Sequence, residues 1–439
     1  MCLLVFSVSS VVINSSNLKT EAIAGITTFF TMAYIVIVNP QILSADGKTG
    51  MAFSGVLTAT VLVCFTMTLL MGLYAKLPFA VAPGMGINAF FTYTIMLGKG
   101  VPWPTALGII FWAGILFLLI SVTPIRESIA KAIPRELRIA AAAGIGIFLT
   151  FIGLKNAGFI VSDPVTFVKL GILGKPALLT ILGVGVAAFL MARKSAFAFL
   201  VSIVAVTVIA WALGLAAKPA QLFTLPDFKS VFFKLDIPGA LKLSLLPAIV
   251  AIMFTDLFDS ISTFIGVAHA GDLLDEHGHP KNLRQGLIVD SLATLGAGLA
   301  GTSSGTAYIE SVAGIRMGGR TGLTSIVTAL CFLACFFIAP LAGMVPPFAT
   351  AAVLILVGAA MFTSVGQIKF SKLEEGVPAF LTLILIPLTF SITQGILWGF
   401  ISHVGLYLMV GRRRDIHPVM YALAAVSIGL LVLERMKFS

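Results

Sequence analysis

Long apolar runs, cut by glycine, proline and short charged clusters, make up most of the chain. Seven fall at about 22–43, 52–75, 79–97, 104–124, 136–156, 177–192 and 197–216. A polar stretch from Ala217 to Gly239 follows. Seven more lie at about 242–268, 284–300, 305–316, 321–341, 348–363, 377–391 and 394–411, and a last apolar segment covers 418–433. Most of these runs are long enough for membrane-spanning helices and too long for strands. The predicted fold is an all-α polytopic membrane protein with 14 transmembrane segments.

Charge tests that count. Put the N-terminus inside and let the helices alternate. The inner loops then hold Lys76, Arg126, Lys131, Arg135, Arg138, Arg193, Lys194, Lys281, Arg284, Arg316, Arg320, Lys369, Lys372 and Arg412–Arg414. With Lys19, Arg435 and Lys437, 19 of the 28 basic residues are inside, all eleven arginines among them. This is the positive-inside pattern, so both termini are expected in the cytoplasm and the chain in the plasma (inner) membrane. Segment 418–433 is the exception: it lies on the membrane, or it is a fifteenth span that moves Arg435 outside.

Seven spans on each side of 217–239 make an odd-numbered repeat, so the second half must sit inverted relative to the first. Transporters of that type place solute where interrupted helices meet near the midplane. Both halves have such an interruption in the third segment. One is Val81-Ala-Pro-Gly-Met-Gly-Ile-Asn88 and the other Ala300-Gly-Thr-Ser-Ser-Gly-Thr-Ala-Tyr308. Backbone that leaves the helix at this depth must line a cavity or be buried in protein.

Composition narrows the class. The chain is 59% hydrophobic and 10% charged, against roughly a quarter charged in soluble domains, so its outer surface faces lipid. The net charge of +10 does not signal nucleic acid, because the cations are scattered with no basic stripe or aromatic platform. Cys2, Cys64, Cys331 and Cys335 form no disulfide framework and no metal pattern. Residues Met1–Ser16 lack a charged region before their apolar stretch, and read as an interfacial tail or a misassigned start.

Four carboxylates lie within apolar runs: Asp256 and Asp259 in MFTDLFDSISTF, Asp290 in LIVDSLATLG, and Glu310 in TAYIESVAG. Ionisable groups at this depth are functional by default. Asp256 and Asp259, three apart, share roughly one helix face. No Lys or Arg lies in the same spans to pair with them. A desolvated carboxylate without a cation can exchange a proton near neutral pH, as proton coupling requires. Glu310 follows the second break, at the start of a half-helix whose N-terminus suits a negative group. For Asp256 and Asp290 a buried structural role, hydrogen-bonded to backbone in a neighbouring break, competes at about even weight. Around the breaks cluster Asn88, Thr263, Ser303, Ser304, Thr306, Phe90 and Tyr308. Amide, hydroxyl, carboxylate and flat ring together suit a planar, hydrogen-bonding heterocycle. An anion carrier would need a cationic side chain at the break, and none is expected there.

Two motifs carry little. His269-Ala-Gly-Asp-Leu-Leu-Asp-Glu-His-Gly-His279 has metal-like residue types but sits in a predicted loop without HExxH spacing. The Gly-Met-Gly and Gly-Ile-Gly pairs at 84–86 and 144–146 are not phosphate loops. An intramembrane hydrolase would need HExxH or GxGD, both absent, or a His near Ser303 or Ser304. The nearest intramembrane one, His403, falls in span 14.

The segments 20–40, 77–93, 257–268 and 301–324 resemble the AzgA-type purine permeases, a branch related to the uracil and xanthine permeases. The likeness runs from about Lys19 to Arg414. It implies proton symport of hypoxanthine, guanine or adenine, with no cofactor beyond the coupling proton. It also implies a seven-plus-seven inverted repeat with a core domain at 19–124 and 241–341 and a gate domain at 125–216 and 342–414. A tail at 1–18, a connection at 217–240 and a segment at 415–439 complete the division. Carried over by motif, Asp259 or Asp256 and Glu310 bind base or proton, with Asn88 in support. Asp256-Leu-Phe-Asp259 and Gly-Met-Gly-Ile-Asn88 look more like the hypoxanthine/guanine members than the adenine ones. Ser262 and Ala293 depart from the family pattern, which expects glycine before Thr263 and a Gly-Thr pair before Thr294. The expected partners are a purine base and the lipid bilayer, with a homodimer open to it.

Overall fold

The computed structural model describes residues 15–123, 132–217, 221–271, 273–274 and 280–435. The first apolar run forms two helices, α1 (Ser15–Met32) and α2 (Ile35–Ser44), separated by a turn at Ala33–Tyr34. Then come α3 (Phe53–Leu70), extended by a wider π turn at Met71–Ala75, and the first predicted break. There the chain runs as a short strand, β1 (Val81–Pro83), before α4 (Met85–Ala89), which continues as a π-helix over Phe90–Gly98. The long helices α5 (Trp103–Val122) and α6 (Arg135–Asn156) follow. An exposed hairpin, β2 (Ile160–Asp163) and β3 (Phe167–Leu170), precedes α7 (Lys175–Ala192) and α8 (Ala198–Ala212).

The second half opens with α9 (Leu246–Ala270) and α10 (Leu283–Ala300). The second break forms β4 (Gly305–Ala307) and α11 (Ser311–Arg316), only six residues long. Only the second half of the predicted 305–316 run is thus helix. Beyond it lie α12 (Gly322–Leu333), α13 (Ala339–Ala342), α14 (Pro347–Phe362), α15 (Leu373–Thr389), α16 (Ile392–Met409) and α17 (Pro418–Arg435). Eight helical stretches among the described residues are long and apolar enough to cross a bilayer. The apolar stretches Met85–Gly98, Ala198–Ala212, Gly322–Phe337 and Pro418–Val432 are shorter. The His269–His279 motif lies largely outside the described residues.

The helices pack as two sets. In one, α12 packs on α1 and α3, and α10 on α5 and α3. In the other, α6 packs on α14 and α15, and α7 on α8. Glycine allows the closest approach in the second set. A Cβ at Gly358 would come 2.3 Å from the Gly146 carbonyl oxygen, so any larger residue pushes α6 off α14. The polar connection is pinned rather than loose. Asp236 accepts from the Gly239 N–H (2.9 Å) and the Thr105 hydroxyl (3.0 Å), which hold its carboxyl below the usual carboxylate range.

The two breaks meet. β1 and β4 pair antiparallel, with Val81 opposite Ala307, Ala82 opposite Thr306 and Pro83 opposite Gly305. Backbone freed from helix at this depth has no water to turn to, so its partners must come from protein. The Gly84 N–H donates to the Ser304 carbonyl and the Tyr308 N–H to the Ala80 carbonyl, both at 2.9 Å. Side chains supply the rest. The Thr68 hydroxyl both donates to the Val81 carbonyl and accepts from its N–H. The Ser311 hydroxyl accepts from the Ala80 N–H, and the Ser325 hydroxyl sits between the Leu77 and Phe79 carbonyls. The hydroxyl-rich composition of the breaks is therefore the price of an irregular backbone inside an apolar body.

Candidate functional site

The crossing has two faces. On its back the predicted residues are consumed by structure. Asp256 is fully buried and accepts from the Ser304 hydroxyl (2.5 Å) and the Thr294 hydroxyl (2.8 Å). Thr294 also approaches the Gly305 carbonyl at 3.2 Å, tying α10 to β4. Asp290, also fully buried, accepts from the Ala307 N–H at 3.1 Å, while its Oδ1 has no hydrogen-bond partner.

Asn39 organises a second buried network there. Its amide donates to the hydroxyls of Thr60 and Thr302, both at 2.8 Å, and its oxygen accepts from Asn88 (3.1 Å) and Ser303 (3.2 Å). Asn88 thus points into α2 and the second break, with its own Oδ1 unpartnered. Phe90 is buried in the apolar core nearby. Sequence reasoning missed Asn39, although an Asn-Pro pair inside the apolar run IVIVNPQI was a signal that could have found it.

The front of the crossing borders an open cleft. Asp259, Thr263, Thr306, Tyr308 and Glu310 line it, with Tyr34, Met85 and Met361. Asp259 and Glu310 are partly exposed, unlike Asp256 and Asp290. The Tyr34 hydroxyl donates to Glu310 Oε1 at 2.7 Å, and the Tyr34 ring packs edge-on against Phe199 of α8 at 5.0 Å. Tyr308 turns its hydroxyl to the Pro83 carbonyl at 2.5 Å, so its ring, not its O–H, is left for the cleft. Tyr34 was not foreseen: the break at Ala33–Tyr34 has neither glycine nor proline, and nothing in the local pattern marks it.

One expectation is corrected. No cation was expected near the breaks, because Arg138 was counted with the inner-loop charges. It lies in the first turn of α6 and lines a second cavity, together with Gly84, Gly86, Ala141, Phe258, Asp259 and Ser262. The predicted run 136–156 already contains Arg138 at its start, and the helix, which begins at Arg135, carries it onto the cavity wall. Gly86 marks a tight approach here: an added Cβ would lie 2.3 Å from the Ile145 side chain of α6.

Comparison with known proteins gives these features a family. The model described as Permease family, Xan_ur_permease, matches residues 19–397. The Methanocaldococcus jannaschii protein MJ0326 is 45% identical, over 94% of both chains. Adenine permease AdeP of Escherichia coli is 43% identical over 95% of this chain and 94% of its own. Guanine/hypoxanthine permease PbuG of Bacillus subtilis is 38% identical over 94% and 96%. The transmembrane domain of a cyanobacterial bicarbonate transporter, BicA, superposes with a TM-score of 0.63 over 90% of this chain and 99% of its own. At 18% identity that likeness concerns the fold. With the helix breaks crossing inside an apolar helical body, the chain belongs to this permease family and is a multi-pass membrane transporter, not an enzyme.

Proposed function

We propose that the chain is a proton-coupled symporter that imports a purine base by alternating access. The observation that carries this reading is the front of the crossing, where Glu310 and Asp259 face one cleft across the paired breaks. Both carboxylates can accept from ring N–H groups, and the Tyr308 ring offers a flat face to the heterocycle. Asp259 and Glu310 are the groups proposed to share base and proton, with Thr263 and Thr306 as polar neighbours. Asp256, Asp290, Asn88, Phe90 and Ser304 support the site from behind.

The antiparallel pairing of the third segment of each half is what an inverted seven-plus-seven repeat of 14 spans would produce. In that reading 19–124 and 241–341 form the core domain, and 125–216 and 342–414 the gate. The contacts of Gln41 with the Val345 carbonyl and the Thr350 hydroxyl, and of Thr94 with the Phe390 carbonyl, then bridge core and gate on the outer side. Both termini face the cytoplasm of the cell.

Uptake of labelled hypoxanthine, guanine and adenine, with and without a protonophore, tests the proposal. Uptake indifferent to the proton gradient would sink the coupling. Hypoxanthine and guanine are favoured by the Asp256–Asp259 and Gly84–Asn88 motifs. Adenine is the second reading, favoured by the higher identity to AdeP than to PbuG.

A further inference from the structure

The two cavities share Gly84, Gly86, Asp259 and Met361 in their walls, so they lie side by side between Glu310 and the start of α6. The chemistry differs between them. The Glu310 and Asp259 part offers carboxylate acceptors. The far part offers the guanidinium of Arg138 among Ala141, Ala142 and Ile145. Arg138 is only partly exposed, and its Nε is buried with no hydrogen-bond partner. A buried guanidinium N–H without an acceptor is costly, and the cost vanishes when an arriving solute brings one. The planar fork of Arg matches two adjacent acceptors in one plane, a pairing Lys cannot copy.

Resting on the purine reading above, the geometry points to Arg138 as a specificity-determining residue that donates to the oxo oxygen and neighbouring ring nitrogen of a 6-oxopurine. Guanine and hypoxanthine present two acceptors on that edge, O6 and N7. Adenine presents N7 beside an amino group, whose hydrogens would face the guanidinium's own. Donor at one end and carboxylates at the other would therefore orient an oxopurine and disfavour an aminopurine. Arg138 stands on α6 and lines the same cavity as Gly84, Gly86 and Asp259.

The test is transport of labelled guanine, hypoxanthine and adenine by the full chain, its Arg138→Met and its Arg138→Lys variants. The cells used lack their own purine carriers, and membrane levels are matched. The guanine-to-adenine ratio of kcat/KM should fall about ten- to a hundredfold in Arg138→Met, mainly through KM for guanine. Arg138→Lys, with charge but no fork, should recover less than half of that ratio on a logarithmic scale. Equal losses for all three bases in a well-folded variant, an unchanged ratio, or a wild type that takes adenine alone would each overturn the assignment. A wild type that transports no purine at all would instead overturn the proposed function on which it rests.

Discussion

The two faces of the β1–β4 crossing use the same residue types for opposite ends. Behind it, Asp256 and Asp290 are sealed: Asp256 accepts from the Ser304 and Thr294 hydroxyls, and one oxygen of Asp290 accepts from the Ala307 N–H. In front, Asp259 and Glu310 are partly exposed to the cleft, and Glu310 is oriented by one tyrosine hydroxyl. A carboxylate in an apolar run is thus no guide by itself to function. What separates the two pairs is burial: one is sealed among the hydroxyls and backbone of the crossing, and the other opens on the cleft. The three-residue spacing of Asp256 and Asp259 puts them on similar sides of α9, yet one turn of helix carries the chain from scaffold to cleft.

That contrast can be broken by substitution. The largest effect is expected behind the crossing. Asp256→Ala strands the Ser304 hydroxyl, an orphaned group costing about 1–3 kcal/mol, and leaves Thr294 only its longer bond to the Gly305 carbonyl. The protein should be lost from the membrane or melt well below wild type in detergent. A variant that melts like wild type would contradict the scaffold role. Next come the front carboxylates: Asp259→Asn and Glu310→Gln should keep the wild-type melting temperature and lose uptake by about a hundredfold or more. Normal uptake by either would remove it from the site.

A smaller change is expected at Tyr34→Phe, which removes one hydrogen bond to Glu310 and keeps the ring against Phe199. A hydrogen bond to a charged group is worth about 1.5–3 kcal/mol, so uptake should drop roughly ten- to a hundredfold and its pH profile should move. A fall in uptake with an unmoved pH profile would reduce Tyr34 to packing.

The smallest effect lies far from the cleft. In the exposed hairpin, Lys169 and the backbone N–H groups of Thr166 and Val165 pull Asp163 down to about 2. Its folded value is depressed, so its contribution is complete above the unfolded value near 4 and is lost as pH falls toward 2. Asp163→Asn should therefore leave uptake unchanged and lower the melting temperature slightly at pH 7, a difference from wild type that fades as pH falls toward 2. A change in uptake there would link the hairpin to transport.

Much of this was legible in the sequence, for physical reasons. Lipid as solvent forces long apolar runs, so the helical class follows from pattern alone. The breaks at 81–88 and 300–308 showed because an irregular backbone needs glycine, proline and hydroxyls. Their pairing with each other did not show, since three residues of strand have no period to detect. Tyr34 was hidden because its turn uses neither glycine nor proline. Asn39 was overlooked in an apolar run, and Arg138 because a cation at a helix start was counted with the inner-loop charges. In each case the decisive fact was which element the side chain faces, which only the packing reveals.

The central claim, that Asp259 and Glu310 carry base and proton together, is tested most directly by proton movement in proteoliposomes with an internal pH dye. Adding hypoxanthine or guanine outside wild-type vesicles should acidify the interior. Vesicles with Asp259→Asn or Glu310→Gln should stay flat. Base-driven acidification that survives in both variants would contradict the account.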